Sequence, residues 1–167
     1  MDDASLEGAG LEGAGREGAG QGLRGPLTVR RARPEELAAC ARIYVRVLTD
    51  TFTWIPLDRH READFLQAAR DEEVFVALDG GEAAGRIVGM AALYRPQRFL
   101  HSLYVTERGR GIGKLLLLHV LAATGGALSL KCQAANKGAQ AFYVREGFRC
   151  TEAGEDGGVA WLRFVRD

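Results

Sequence analysis

The chain has no surplus of charge: 22 Lys and Arg are matched by 22 Asp and Glu over 167 residues. A protein that holds nucleic acid or a membrane surface through its overall field needs an excess that is absent here. No apolar run comes near the ~20 residues that cross a bilayer. Cysteine is sparse: Cys40, Cys132 and Cys150 form an odd set without metal-ligand spacing. That excludes a disulfide framework and gives no reason to expect a metal; reduced, mostly buried thiols of a cytoplasmic protein are the expectation. The N-terminus is acidic and glycine-rich rather than basic and then apolar, so it does not read as a secretory signal.

What is present divides in two. Residues 6–20 repeat a five-residue unit, LEGAG, LEGAG, REGAG. Period five suits neither helix nor strand, and glycine at every second or third position makes ordering costly, so 1–25 reads as a disordered tail. Residues 26–167 are long enough for one domain with a real core. Their hydrophobic periodicity predicts strands at 27–31, 73–78, 86–94, 100–105, 127–132, 149–152 and 159–165. Helices are predicted from Pro34 to a break at 51–56, and over 58–70, 112–123 and 137–146. Turns are expected at 79–81 and 154–158, with Gly147 closing the last helix. This β-α-α-β-β-β-α-β-α-β-β order predicts an α+β fold, a mixed and mostly antiparallel sheet of about seven strands with about four helices on both faces.

The most telling segment is 99–118, FLHSLYVTERGRGIGKLLLL. A strand runs through Arg108-Gly109-Arg110-Gly111-Ile112-Gly113 into the first turn of an apolar helix. The first N–H groups of a helix have no internal partner, and its dipole is positive there. Glycines let phosphate oxygens approach those groups, and Arg108, Arg110 and Lys114 add charge, so the segment suits a pyrophosphate. It is no Walker A loop, because Arg108 and Leu115 stand where that loop needs glycine and a hydroxyl. As a dinucleotide fingerprint it is weak: it reads GxGxG and lies late in the chain.

Arg108-x-x-Gly111-x-Gly113 resembles the coenzyme A loop, [QR]-x-x-G-x-[GA], of the GNAT N-acyltransferase superfamily. Downstream, Asn136, Ala139, Phe142, Tyr143, Gly147 and Phe148 fill every marked position of N-x-x-A-x-x-[FL]-Y-x-x-x-G-F, which resembles the same family's second motif. The resemblance covers roughly 26–167. It implies the GNAT fold, acetyl-coenzyme A as cofactor, and an acetyltransferase acting on a primary amine by direct attack in a ternary complex. The acceptor is a small molecule by default or else a peptide amine, and the protein a monomer or homodimer. One departure stands out: only Thr106 and Glu107 separate Val105 from Arg108, about two residues fewer than is usual. Two residues are worth up to ~7 Å of chain, so either the strand ends early or the loop is tighter.

The resemblance also distributes roles. Tyr143 would protonate the departing sulfur. Asn136 would contact the cofactor arm beside Ala139 and Phe142, although an N-cap and a packed aromatic account equally for Asn136 and Tyr143. The main-chain N–H of Leu103 would hold the oxyanion, and Val105, with Tyr104 beside it, would pair with the pantetheine amides. Where many relatives carry Glu, this strand has Phe99, His101 and Leu103. His101 is the candidate base and is expected to share a strand face with Leu103. His60 and His119 read as solvent-side helix residues. Phe52, Trp54 and Trp161, with His101, are candidate acceptor contacts. A module that binds acyl-coenzyme A without turnover is the alternative.

Overall fold

The computed structural model describes residues 25–53 and 60–167. The tail reading of 1–25, Gly25 apart, and the site reading of Trp54 therefore fall outside the described residues. The elements are β1 (Leu27–Arg31), a 3-10 turn (Pro34–Glu36), α1 (Leu37–Thr51), α2 (Glu62–Ala68), β2 (Glu73–Asp79) and β3 (Arg86–Tyr94). They continue as β4 (Phe99–Val105), α3 (Ile112–Ala123), β5 (Leu128–Gln133), α4 (Lys137–Arg145), β6 (Arg149–Asp156) and β7 (Val159–Arg166). The seven strands form one sheet in the order β1-β2-β3-β4-β5-β7-β6. Every neighbouring pair is antiparallel except β4 and β5, which are parallel.

Two apolar clusters explain why the helices cover both faces. Leu116, Leu117, Val120 and Leu121 of α3 pack on Leu100, Leu103, Val105 and Leu130, with Ala139 and Tyr143 of α4 beside them. On the opposite face, Cys40, Tyr44, Val47 and Leu48 of α1 and Phe65 of α2 pack on Val76, Met90 and Tyr104. Each fully buried leucine contributes about 1.5–3 kcal/mol, so the α3 stripe holds the helix firmly on the sheet. Gly89 of β3 makes that contact close: a Cβ there would meet Ile112, Leu116 and the Tyr104 carbonyl, each at 3.0 Å.

The start of α1 follows its sequence. Glu36 accepts from Arg30 at 2.7 and 2.8 Å and from the Arg33 N–H at 2.7 Å, which ties the turn to β1. This pairing holds the Glu36 carboxyl down at about 2.

Four expectations need correction. The last hairpin turns on Gly157-Gly158 alone, both at positive φ, with Asp156 opposite Val159. Two residues at positive φ make the tight turn that strand twist favours, so Gly154 belongs to β6. The second helix starts at Glu62 rather than 58, because Arg61 is still extended where it caps the helix. His60 precedes that helix and is buried, and burial pulls its imidazole below the usual value. His119 packs edge-on against Phe75, with ring centroids 5.1 Å apart, rather than facing water freely. Among the thiols, Cys40 and Cys132 are buried and Cys150 is exposed. No helix among the described residues is long and apolar enough to cross a membrane.

Candidate active site

The site begins where β4 parts from β5. Their parallel pairing consists of Phe99 with Ser129 and Leu100 with Leu130, and it stops there. On its other edge β4 stays paired with β3 as far as Gly89 opposite Val105. The Thr106 N–H then donates to the Val88 carbonyl at 2.9 Å, and the Thr106 hydroxyl donates to the same oxygen at 3.1 Å. Main-chain groups alternate sides along an antiparallel strand. With Thr106 turned toward β3, Tyr104 and Ser102 turn the same way, while Leu103 and Val105 turn theirs toward the gap left by β5. These are the two positions that the sequence resemblance implies for an oxyanion donor and for pairing with the cofactor arm. The strand also runs its full length, so the missing two residues shorten the loop and not β4.

The loop is a tight turn. Gly109 and Gly111 have φ of 75° and 73°, a region that side chains disfavour, and a Cβ on either would point into open space. Gly111 caps α3, and the first helical bond runs from the Leu115 N–H to the Gly111 carbonyl at 2.9 Å. The N–H groups of Ile112, Gly113 and Lys114 precede that bond and have no helical acceptor. An anion at this mouth meets donors and a favourable dipole.

The charge around the turn differs from expectation. Arg110 donates to Asp79 at 2.6 Å and to Glu107 at 3.2 Å. Arg86 donates to Glu107 at 2.7 Å. This network holds the Asp79 carboxyl below its usual range and raises Arg110, chiefly through their mutual hydrogen bond. Arg110 therefore shapes the turn from behind. Lys114 lies 3.3 Å from Glu146 and bridges α3 to the end of α4. Arg108 is exposed at the turn.

The second motif forms the far wall. Asn136 caps α4: its Oδ1 accepts from the Ala139 N–H at 3.1 Å. It is 3% exposed, yet its Nδ2 has no partner. An orphaned buried donor is costly, and a ligand carbonyl would satisfy it. Tyr143, two turns on, is wholly buried among Phe142, Phe148 and Phe164, with centroids 5.2–6.2 Å away. Burial, and then the nearby Cys132 thiol, push the phenol well above its usual value, so it keeps its proton throughout the neutral range. Open main-chain groups on β4, the Asn136 amide and the glycine mouth of α3 together fit the amide-bearing arm and diphosphate of coenzyme A.

On the acceptor side the sequence resolves less. His101 is the extra residue of a β-bulge, since Ser102 pairs with Ala92 but Leu100 pairs with Leu93. The bulge breaks the alternation that would put His101 with Leu103. Leu100, Leu103 and Val105 share the α3/α4 cluster, whereas His101 hydrogen-bonds through Nδ1 to Glu72, in the link from α2 to β2. Its ring lies 4.7 Å from that of Phe99 and 6.2 Å from that of Tyr94. Glu72 is a polar partner that the sequence pattern gave no means of finding, because it lies 29 residues from His101.

Of the three aromatics expected on the acceptor side, the two among the described residues are committed to protein contacts. Phe52 belongs to the α1/α2 core. Lys131 Nζ stands 4.0 Å from the centre of the Trp161 ring. The same ring lies against Gly154, where a Cβ would come within 2.3 Å. What Trp161 leaves open is its indole N–H, buried and without a partner. Among the described residues, no group of three or more His, Cys, Asp and Glu could hold a metal ion.

Comparison with known proteins identifies the family and the fold. The sequence model of the Acetyltransferase (GNAT) family matches residues 35–148. No curated protein matches the chain. Among solved structures, a GCN5-related N-acetyltransferase from Rhodopseudomonas palustris superposes with a TM-score of 0.67 at 22% identity, covering 89% of this chain and 99% of that one. The Salmonella typhimurium protein yncA, with its cofactor acetyl-CoA, gives 0.61 at 20% identity over 83% of this chain and 92% of that one. A ribosomal-protein-alanine N-acetyltransferase from Brucella melitensis gives 0.59 at 25% identity over 83% and 98%. The chain thus belongs to the acetyltransferase (GNAT) family, and is an acyltransferase whose acyl donor is acetyl-coenzyme A.

Proposed function

We propose that this protein moves the acetyl group of acetyl-coenzyme A to a primary amine of a small molecule, by direct attack with both substrates bound. The observation that carries this reading is the opening between β4 and β5, which leaves the Leu103 and Val105 main chain without a strand partner on that side, in the same apolar cluster as Tyr143. Coenzyme A supplies an activated thioester there. The outward N–H of Leu103 stabilises the charge that builds on the thioester oxygen. His101 takes the proton from the attacking amine, and Tyr143 gives its proton to the departing sulfur. Cys132 is deeply buried and Cys150 lies on the edge strand β6, so neither is placed as a nucleophile for a covalent acyl-enzyme.

The acceptor side bears on the substrate. The Trp161 ring is already stacked with Lys131, so it favours acceptors that offer a carbonyl to its N–H over a second cation. Peptide amines are the second acceptor class, supported by the likeness to the Brucella structure. A thiol-release assay over phenethylamine, alaninamide and putrescine tests the proposal. Turnover that falls about 100-fold in Tyr143→Phe supports it. Tight coenzyme A binding with no release by any amine, and no effect of that substitution, would make the protein a binding module.

A further inference from the structure

We propose that Glu72 is the positioning residue for the acceptor side: its carboxylate fixes the His101 ring so that Nε2 faces the attacking amine as a proton acceptor. The proposal rests on the reading of His101 as the base and adds the group that makes it one. A neutral imidazole has one N–H and one lone pair, and which nitrogen holds which is set by the hydrogen bond the other makes. Here Nδ1 meets the Glu72 carboxylate, which is acceptor-only when ionised. The N–H must then sit on Nδ1 and the lone pair on Nε2.

Three features make this an arrangement rather than a chance surface pair. The Glu72 side chain is only 3% exposed while that of His101 is 27% exposed, so the carboxylate lies inside and the ring outside. The bulge in β4 turns His101 away from the α3 face, one residue beyond the last pair joining β4 to β5. Bulges re-aim side chains next to active sites in this manner. Tyr94 and Phe99 flank the ring and restrict its rotation.

Three charged groups on neighbouring elements have partners of their own. Glu73, next to Glu72, binds Arg95. Arg163, which stands over Phe99, lies 3.1 Å from Glu152. Lys131 lies 3.4 Å from Asp156. Glu72 is therefore the carboxylate that meets the ring, and its burial prevents it from reaching an amine itself.

The balance closes. As the amine nitrogen bonds to the thioester carbon, its proton passes to Nε2 and the imidazolium stays paired with Glu72. The carbon–sulfur bond then breaks, and the thiolate takes the Tyr143 proton. His101 returns its proton to solvent and Tyr143 recovers one.

Long-range ¹H–¹⁵N spectra of the full chain at pH 8 report the His101 tautomer directly. The wild type is expected to show Nδ1–H. Glu72→Ala should shift most molecules to Nε2–H, and Glu72→Gln, whose amide oxygen still accepts, should restore Nδ1–H. In thiol release with alaninamide, Glu72→Ala should lower kcat about 100-fold with the KM for acetyl-coenzyme A unchanged, and should cost nothing further in a His101→Ala background. An unchanged tautomer in Glu72→Ala, or a loss that persists in the His101→Ala background, overturns the proposal. Full activity of His101→Ala combined with the expected tautomer shift overturns the base role of His101 instead, and leaves the pairing standing.

Discussion

The two sides of the β4–β5 opening are made of different materials. The proposed donor side is backbone: a glycine turn at a helix mouth, two outward main-chain positions and a capping amide. The proposed acceptor side is side chain: a histidine on a bulge, a buried carboxylate from a distant link and a tryptophan stacked under a lysine. Backbone sites favour particular residues at fixed spacing, because glycine suits a left-handed turn best and a short polar side chain such as that of Asn136 makes a good helix cap. Side-chain sites demand only that the right groups meet in space. One side can therefore be recognised from a short string of letters, and the other cannot.

Substitutions on the donor side should have the largest effects. Gly111→Val places a branched side chain at φ 73° with its Cβ over the helix mouth, and should weaken acetyl-coenzyme A binding more than ~100-fold. Loss of the thermal shift that the cofactor gives wild type is the check; an undiminished shift means the diphosphate lies elsewhere. Tyr143→Phe should lower kcat about 100-fold with little change in either KM. Because burial raises the Tyr143 phenol, no alkaline loss of rate before about pH 10 should trace to it. An undiminished kcat in Tyr143→Phe would remove it from the reaction.

On the acceptor side the effects should be smaller and of another kind. Gly154→Ala forces the Trp161 ring to move and should raise the acceptor KM several-fold, at a stability cost of about 1–3 kcal/mol, with the acetyl-coenzyme A KM unchanged. Equal changes in both KM values would show that the two sides are not separable. The smallest effect lies outside the opening altogether. Glu36, held at about 2 by Arg30, has a lowered folded value, so its contribution is complete above an unfolded value near 4.5 and disappears as pH falls toward 2. Glu36→Gln should therefore destabilise the fold at pH 7 and leave it nearly unchanged near pH 2; denaturant melts at both values decide.

The same contrast explains how much could be read in advance. The strands at 27–31, 86–94 and 159–165 and the helix at 112–123 were legible because each is an apolar-rich segment bounded by turn or loop residues, and the structure has them within one residue. The family and fold followed from Arg108–Gly113 and Asn136–Phe148, where geometry restricts residue type. What escaped was set by single extra residues and distant partners. A bulge of one residue moved His101 off the face of Leu103, and alternation alone cannot reveal a bulge. Arg110 looked like phosphate charge because its partner Asp79 lies 31 residues away. Gly154 looked like a turn because glycine usually marks one, whereas here it makes room for an indole.

Amide spectra of the uniformly ¹⁵N-labelled chain, titrated with coenzyme A, test the central claim most directly. The N–H groups of Gly111 to Lys114, Leu103 and Val105 should shift together with the Asn136 side-chain amide, at one common dissociation constant. Coenzyme A binding that leaves these signals in place and moves others would contradict it.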